Sequence, residues 1–418
     1  MKKTTNAQHD SFFLNNISIV CACIVPLLVT GPFLPDLIVS SLSLWFLFYS
    51  FKHKIYKIYK NIYFYFFIAF CLVCILSSIL SDNIFISLRS SLFYVRIGVF
   101  ALLISYLIEQ NKKILNYFYY AFLITFSSLV IDGYFQFFQG SNLFGYKIGE
   151  NYRVSSFFGD ELILGSYLTR LYPLFFAIFI VRSNKNPLEI IFVSILFVLI
   201  DVLIFFSGER ASFVLFNLST IFVIIFISSY KWLRIGVFIF SLFIITILLI
   251  NDEKLYDRYI VSPKRSLGLD SSVSERYFFS PGHDSLIRTS WKMFLDKPIL
   301  GQGPKLYRIK SYDPKYQTGI SPHHPHPHNF YVQLLAETGI VGFSFLAGLF
   351  CYFLFLTLKH IYIYFIYKTK WLSDYQICLL SGLLITIWPL TTNGSIFGNY
   401  LMLFYTLPIG FFKKNIKI

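Results

Sequence analysis

Twelve apolar runs of roughly twenty residues alternate with short polar breaks, at about 12–30, 33–51, 62–80, 91–109, 114–138, 161–181, 187–207, 211–229, 232–250, 329–357, 374–392 and 396–412. An α-helix needs that length to cross a hydrocarbon core of about 30 Å at about 1.5 Å per residue. A backbone in lipid must satisfy its own hydrogen bonds, so the repetition predicts an all-α, polytopic membrane protein of about twelve helices. Two segments break the rhythm. One is QGSNLFGYKIGENYRVSSFFGD (139–160), and the longer one lies between the ninth and tenth runs. The chain thus divides into helices one to nine over 1–250, a loop over 251–328 and helices ten to twelve over 329–418, together one membrane domain. Within the loop, HDSLIRTSWKMFLDKP places Ile287, Trp291, Phe294 and Leu295 at helical spacing, with Asp284 as candidate N-cap and Pro298 as the stop. The following GQGP reads as a tight turn.

Composition agrees: 56% of the residues are hydrophobic and 14% charged, more apolar side chain than a soluble domain hides. A net charge of +15 would suit nucleic acid, but its placement points elsewhere. Lys52, Lys54, Lys57 and Lys60, then Lys112 and Lys113, Arg182 and Lys185, Lys231 and Arg234, and Lys359, Lys368 and Lys370 fall in breaks on one side. The opposite breaks TGPFLPD, SDNIF and TTNGS hold no Lys or Arg. This positive-inside pattern predicts cytoplasmic termini, an outward-facing long loop, membrane lipids as surroundings and no nucleic-acid partner. No cleavable signal peptide is expected. The six cysteines all sit in apolar runs, which argues against a disulfide framework in the loops.

Charges in or beside the apolar runs need a reason, since each costs about 2.5–3.5 kcal/mol at mid-membrane on insertion scales. Arg210, in SGER, falls in the first turn of a span, where the helix dipole disfavours a cation. A bound anion would resolve the conflict, and so would a pair with Glu209 or snorkelling to water. The outward segments also gather Arg153, Arg258, Arg265, Arg276 and Arg288, and guanidinium forks suit phosphate oxygens. Arg288 shares its amphipathic helix with Trp291, which anchors it.

In SPHHPHPHNFYVQLLAETGIVGF, His328 stands last before a span, with Asn329 able to cap the helix. The positive end of the helix dipole favours neutral imidazole, the form a general base requires. Asn329, Gln333 and Glu337 recur every four residues, a polar stripe that must face the bundle. Glu337 lies about 13 Å along the helix from His328, too far for direct partnership, and reads as a structural acid. Gly339 and Gly342 would permit close helix approach. His323, His324 and His326 read as a flexible polar linker; alternatively, His324, His326 and His328 line one face of an extended strand and offer three metal nitrogens.

HPHNFYVQLLAETGIVGF resembles the signature of the O-antigen ligase and polymerase superfamily: a histidine, a polar residue, an aromatic, then LxExGxxG. RVSSFFGDELILGSYL, SGERASF, RTSWKMFLDKPILGQGP and WPLTTNGSIFGNY resemble further family segments in the same order, although Asp160 and Glu161 depart from the usual PN. The resemblance implies an O-antigen ligase of the Gram-negative inner membrane, moving a glycan from undecaprenyl diphosphate to lipid A-core on the periplasmic face. Extension of the glycan and glycosylation of protein are the superfamily's other activities. It implies His328 as the base, Arg210 and Arg288 on the diphosphate, and no metal or cofactor. Arg153, Arg265, Arg276 and Asn329 are the further candidates for substrate contact, with Glu337 and Trp291 as supports. No closely paired carboxylates favour a covalent intermediate, so inverting single displacement is expected. A polysaccharide flippase is the reading from another class, but the two halves of the chain show no matching broken spans.

Overall fold

The computed structural model describes residues 13–182, 186–266, 277, 280–320 and 323–412. Among them the chain is helical, without strands. In order the main helices are α1 (Phe13–Leu27), α2 (Phe33–Lys52), α3 (Ile62–Ile79), α4 (Ile84–Gln110), α5 (Lys113–Gln139), α6 (Leu164–Val181), α7 (Pro187–Phe206), α8 (Arg210–Phe226), α9 (Lys231–Asn251), α10 (Pro281–Asp296), α11 (Phe330–Tyr367), α12 (Asp374–Thr386) and α13 (Asn399–Thr406). Eight of these described helices are long and apolar enough to cross a membrane, while α1, α8 and α12 are shorter apolar helices. The protein is an all-α polytopic membrane protein.

Each expected run has a helix, with four changes. α4 begins at Ile84 and is interrupted between Ser91 and Val95, so Arg89 and Arg96 lie on separate pieces. α11 continues to Tyr367, ten residues beyond its expected end. The last two runs are the main departure. α12 stops at Thr386, residues 387–398 are irregular, and α13 is only eight residues, followed by a tight turn over Leu407–Phe411.

The core surrounds α6, which packs against α5, α7, α8 and α12 and buries Tyr167, Phe175 and Phe176. α2, α3 and α9 turn Phe48, Phe51, Leu72, Phe240 and Phe243 outward, as lipid-facing helices must. One buried ion pair crosses the bundle: Arg234 of α9 meets Asp201 of α7 at 2.8 Å. Ser241 and Thr220 complete its hydrogen bonds, and the Tyr172 ring lies 4.9 Å from the guanidinium.

Two irregular stretches are held by α11. At Gly339 (φ +63°, ψ −165°) the helix breaks, and residues 298–303 of the loop cross it. Gln302 and Gly303 donate their backbone N–H groups to the carbonyls of Ala336 and Glu337, while Ile340 donates to Pro298 O, at 2.8–2.9 Å. The crossing loop thereby satisfies groups that the break frees. A Cβ on Gly301 would stand 2.6 Å from Gly339 N, and one on Gly339 2.7 Å from Leu300 N. The two backbones thus meet glycine to glycine, so Gly339 serves a loop crossing rather than the helix–helix approach expected. The second stretch, 387–398, runs beside the start of α11. Asn329 donates to the carbonyls of Pro389 and Thr391, and Gln333 binds Ser395 Oγ and the Ile396 N–H. The polar stripe faces inward, and Asn329 and Gln333 of it satisfy this buried backbone.

Candidate active site at the loop end of the bundle

α11 starts where Asn329 caps it, its side chain accepting from the N–H groups of Tyr331 and Val332. His328 precedes the cap in the left-handed region (φ +56°), uncommon for a residue with a Cβ. It is held there by its carbonyl, which accepts the Asn393 N–H at 2.7 Å. Asn393 is itself fixed by the buried Arg170, whose Nη2 donates to Asn393 Oδ1 at 2.7 Å. A charge from the middle of α6 thus braces the residue before α11.

Around His328 stand three more imidazoles. Its Nε2 lies 3.2 Å from His324 Nε2, and the His326 and His283 rings are centred 4.3 and 5.4 Å away. His324 Nδ1 donates to the His326 carbonyl at 3.0 Å, leaving the His324 Nε2 lone pair to accept the His328 Nε2–H. His328 then presents Nδ1 as its basic nitrogen. Burial, aided by the neighbouring His326, His324 and His283, holds the His328 ring down to about 3, and His326 is held to about 4 chiefly by burial. Both rings are neutral at ordinary pH. The flexible linker is not observed: His323 stacks flat on Tyr312 at 4.5 Å, and His324 and His326 pack on His328.

The second cluster lies at SGER. Gly208 (φ +66°) makes the turn between α7 and α8, close against Arg153 and Arg258. Arg258 donates through Nε and Nη2 to Gly208 O, and Arg153 donates to Ser207 O and Leu162 O. Arg210 donates to Ser262 Oγ. The suggested Glu209–Arg210 pair does not form. Glu209 turns the other way and accepts from Gly165 N, Ser166 N and Ser166 Oγ at 2.6–3.0 Å, capping α6 from a different element. Burial raises its pKa, opposed by those bonds and by Arg153. For Arg258, burial and the charges of Arg153 and Arg210 bring the pKa down to about 10. Among the described residues Arg153, Arg210 and Arg258 form no ion pair, and the oxygens of Glu209 are already committed to α6.

His283 of α10 joins the two clusters. Its pKa is lowered by burial and by the charges of His324 and Arg210, and its Nδ1 meets Ser280 Oγ at 2.6 Å. Ser280, not Asp284, caps α10. Asp284 instead pairs with Arg288 at 2.5 Å, and the Arg288 side chain is 65% exposed. Arg288 and Trp291 line a cavity of about 380 Å³ with Val332 and Leu335, one turn along α11 from His328. Among the described residues, no hydrogen bond or ion pair links Arg288 to His328 or Arg210. Trp291 is half-exposed, packing on Phe294. Arg265 is exposed on the short winding Ser262–Ser266, and Arg276 lies outside the described residues. Glu337 is fully buried and accepts from Tyr307 N and Gln333 Nε2.

Sequence reading singled out His328, Asn329, Glu337, Arg210 and, among the outward arginines, Arg258, but it did not bring His283 to His328 or Arg258 to Gly208. Their sole sequence signal was to be polar residues in the long loop; their partners are 45 and 50 positions away. Compared with known protein families, residues 193–347 match the family model described as O-antigen ligase, so this segment is similar to that family. The comparison with curated proteins gives no match.

Proposed function

From that similarity, we propose that the protein is a glycosyltransferase that moves a glycan from undecaprenyl diphosphate to an acceptor hydroxyl, with lipid A-core as the acceptor. The reaction takes place at the periplasmic face of a Gram-negative inner membrane, on the side carrying loop 251–328. The observation that carries the reading is a set of guanidinium groups short of carboxylates, joined through His283 to an imidazole kept neutral. Arg153, Arg210 and Arg258 suit a diphosphate, and Arg288 stands at the rim of the apolar cavity.

His328 Nδ1 takes the proton of the acceptor hydroxyl as its oxygen attacks the anomeric carbon. The bond from that carbon to the diphosphate oxygen breaks, and its electron pair leaves with the diphosphate. Arginines in a water-poor setting stabilise the developing charge, and proton removal is typically worth 10²–10⁴-fold. The nascent His328 imidazolium keeps its Nε2–H on His324, whose own proton rests on a backbone carbonyl. One displacement inverts the anomeric centre, and the chain's own side chains suffice for every proton moved.

Purified protein in liposomes, given lipid-linked donor and lipid A-core, tests this by appearance of the joined product. Donor that crosses the bilayer without being joined would favour a flippase and overturn the proposal. In a deletion strain, polymer accumulating on the lipid carrier beside bare core supports ligation, whereas a core bearing one repeat unit points to polymerisation.

A further inference from the structure

The proposed transfer leaves His326 without a task and a three-imidazole cluster larger than one base needs. We infer that His324, His326 and His328 form a site for a divalent metal ion of the zinc type, and that its occupancy switches transfer off. The second half rests on the reading of His328 as the base.

The site is built for such an ion. One ring nitrogen from each histidine lies within 4.8 Å of the other two. Nitrogens bound to zinc at about 2.0–2.1 Å with tetrahedral angles sit about 3.3–3.4 Å apart, and His324 Nε2 and His328 Nε2 are separated by 3.2 Å. One edge of the tetrahedron is therefore already in place. His326 Nε2 is buried and, among the described residues, has no hydrogen-bond partner, so the third histidine holds a ring nitrogen free for a ligand. The His324 Nδ1–H on the His326 carbonyl fixes the tautomer and aims Nε2 inward, as the outer partner of a metal-bound histidine does. Pro325 and Pro327 stiffen the backbone between the rings. Three imidazoles without carboxylates suit zinc, copper or nickel over magnesium or calcium.

The switch follows from proton counting. Neutral His328 carries one proton, on Nε2, with its lone pair on Nδ1. A metal bound at Nε2 moves that proton to Nδ1, and neither nitrogen can then accept the acceptor's proton. No proton is gained or lost by the ring.

Tag-free protein in detergent, dialysed against zinc, should retain one ion per chain, and cobalt in its place should give the visible absorption of four-coordinate geometry. His324→Ala and His326→Ala should each weaken retention at least about tenfold at unchanged thermal stability. Zinc should stop wild-type transfer and EDTA restore it, while the transfer that His326→Ala retains should not change on adding zinc. Absence of stoichiometric zinc, or zinc retained by both variants, overturns the site. Transfer that requires zinc overturns the switch and, with it, the metal-free base. Activity of metal-free His328→Ala overturns the base alone and leaves zinc retention to judge the site.

Discussion

At the scale of single residues, the chemistry depends on side chains whose positions the backbone imposes. His328 is set by its left-handed backbone and by Asn393, neither of which needs its ring as a support. His328→Ala should therefore abolish transfer in a complementation assay while a blot shows normal membrane abundance. Arg210→Lys should fail nearly as badly as Arg210→Ala, because an ammonium cannot reproduce a bidentate contact with diphosphate; a donor-binding measurement would show the loss. His328, Asn329 and Glu337 were legible because a polar residue at the edge of an apolar helix has few explanations. Glu209 was misread for a physical reason: adjacency in sequence suggested a pair with Arg210, but α6 offers its carboxylate two unsatisfied N–H groups from across the bundle.

Among the helices, the same residue becomes a test of architecture. Glu209→Ala should cost roughly 1–3 kcal/mol by stranding the α6 N–H groups, seen as a lower melting temperature with Arg210 intact. The crossing at Gly339 is stricter. Gly339→Ala combines a backbone conformation foreign to alanine with a Cβ placed against Ile299 and Leu300, so about 2–4 kcal/mol should be lost, read as reduced abundance and melting temperature. Asp82, in the turn before α4, pairs with Lys297 and Lys310, which hold its pKa down to about 2. A depressed carboxylate stabilises the fold above its unfolded pKa, near 3.9, and loses that contribution as pH falls through its folded value. The turn is half-exposed, so Asp82→Asn should cost under about 1 kcal/mol at pH 7, and its difference from wild type should vanish between about pH 4 and 2. Helix existence was readable from apolar length. The breaks in α4 and α11 and the early end of α12 were not, because long-range hydrogen-bond partners decide them.

For the molecule as a whole, positive charges on one side of the breaks predict topology, and reporter fusions at Gly282 and Lys57 should report opposite sides. Both on one side would remove the outward placement of the loop. The buried Arg234–Asp201 pair links three spans, and Asp201→Ala should lose about 3–5 kcal/mol by leaving a charge uncompensated, whereas replacing both partners with apolar residues should recover much of the loss in melting temperature. The sequence displayed both residues but not their pairing, since one sits mid-run and the other near a helix start. Fold class was thus written in local hydropathy, and the site was written partly in motif and partly in contacts between distant segments.

The crossing of residues 298–303 over Gly339 also sets an order of events during synthesis. Ribosomes deliver the loop well before α11, so its strand of backbone must wait, wet and unpaired, until the helix start arrives to receive it. Only when residue 341 is in place can the loop close and draw His328 against Asn393, which is made later still. The site therefore comes into being late in biogenesis, and a chain halted between α11 and Asn393 carries every candidate site residue without the contact that sets His328 in place.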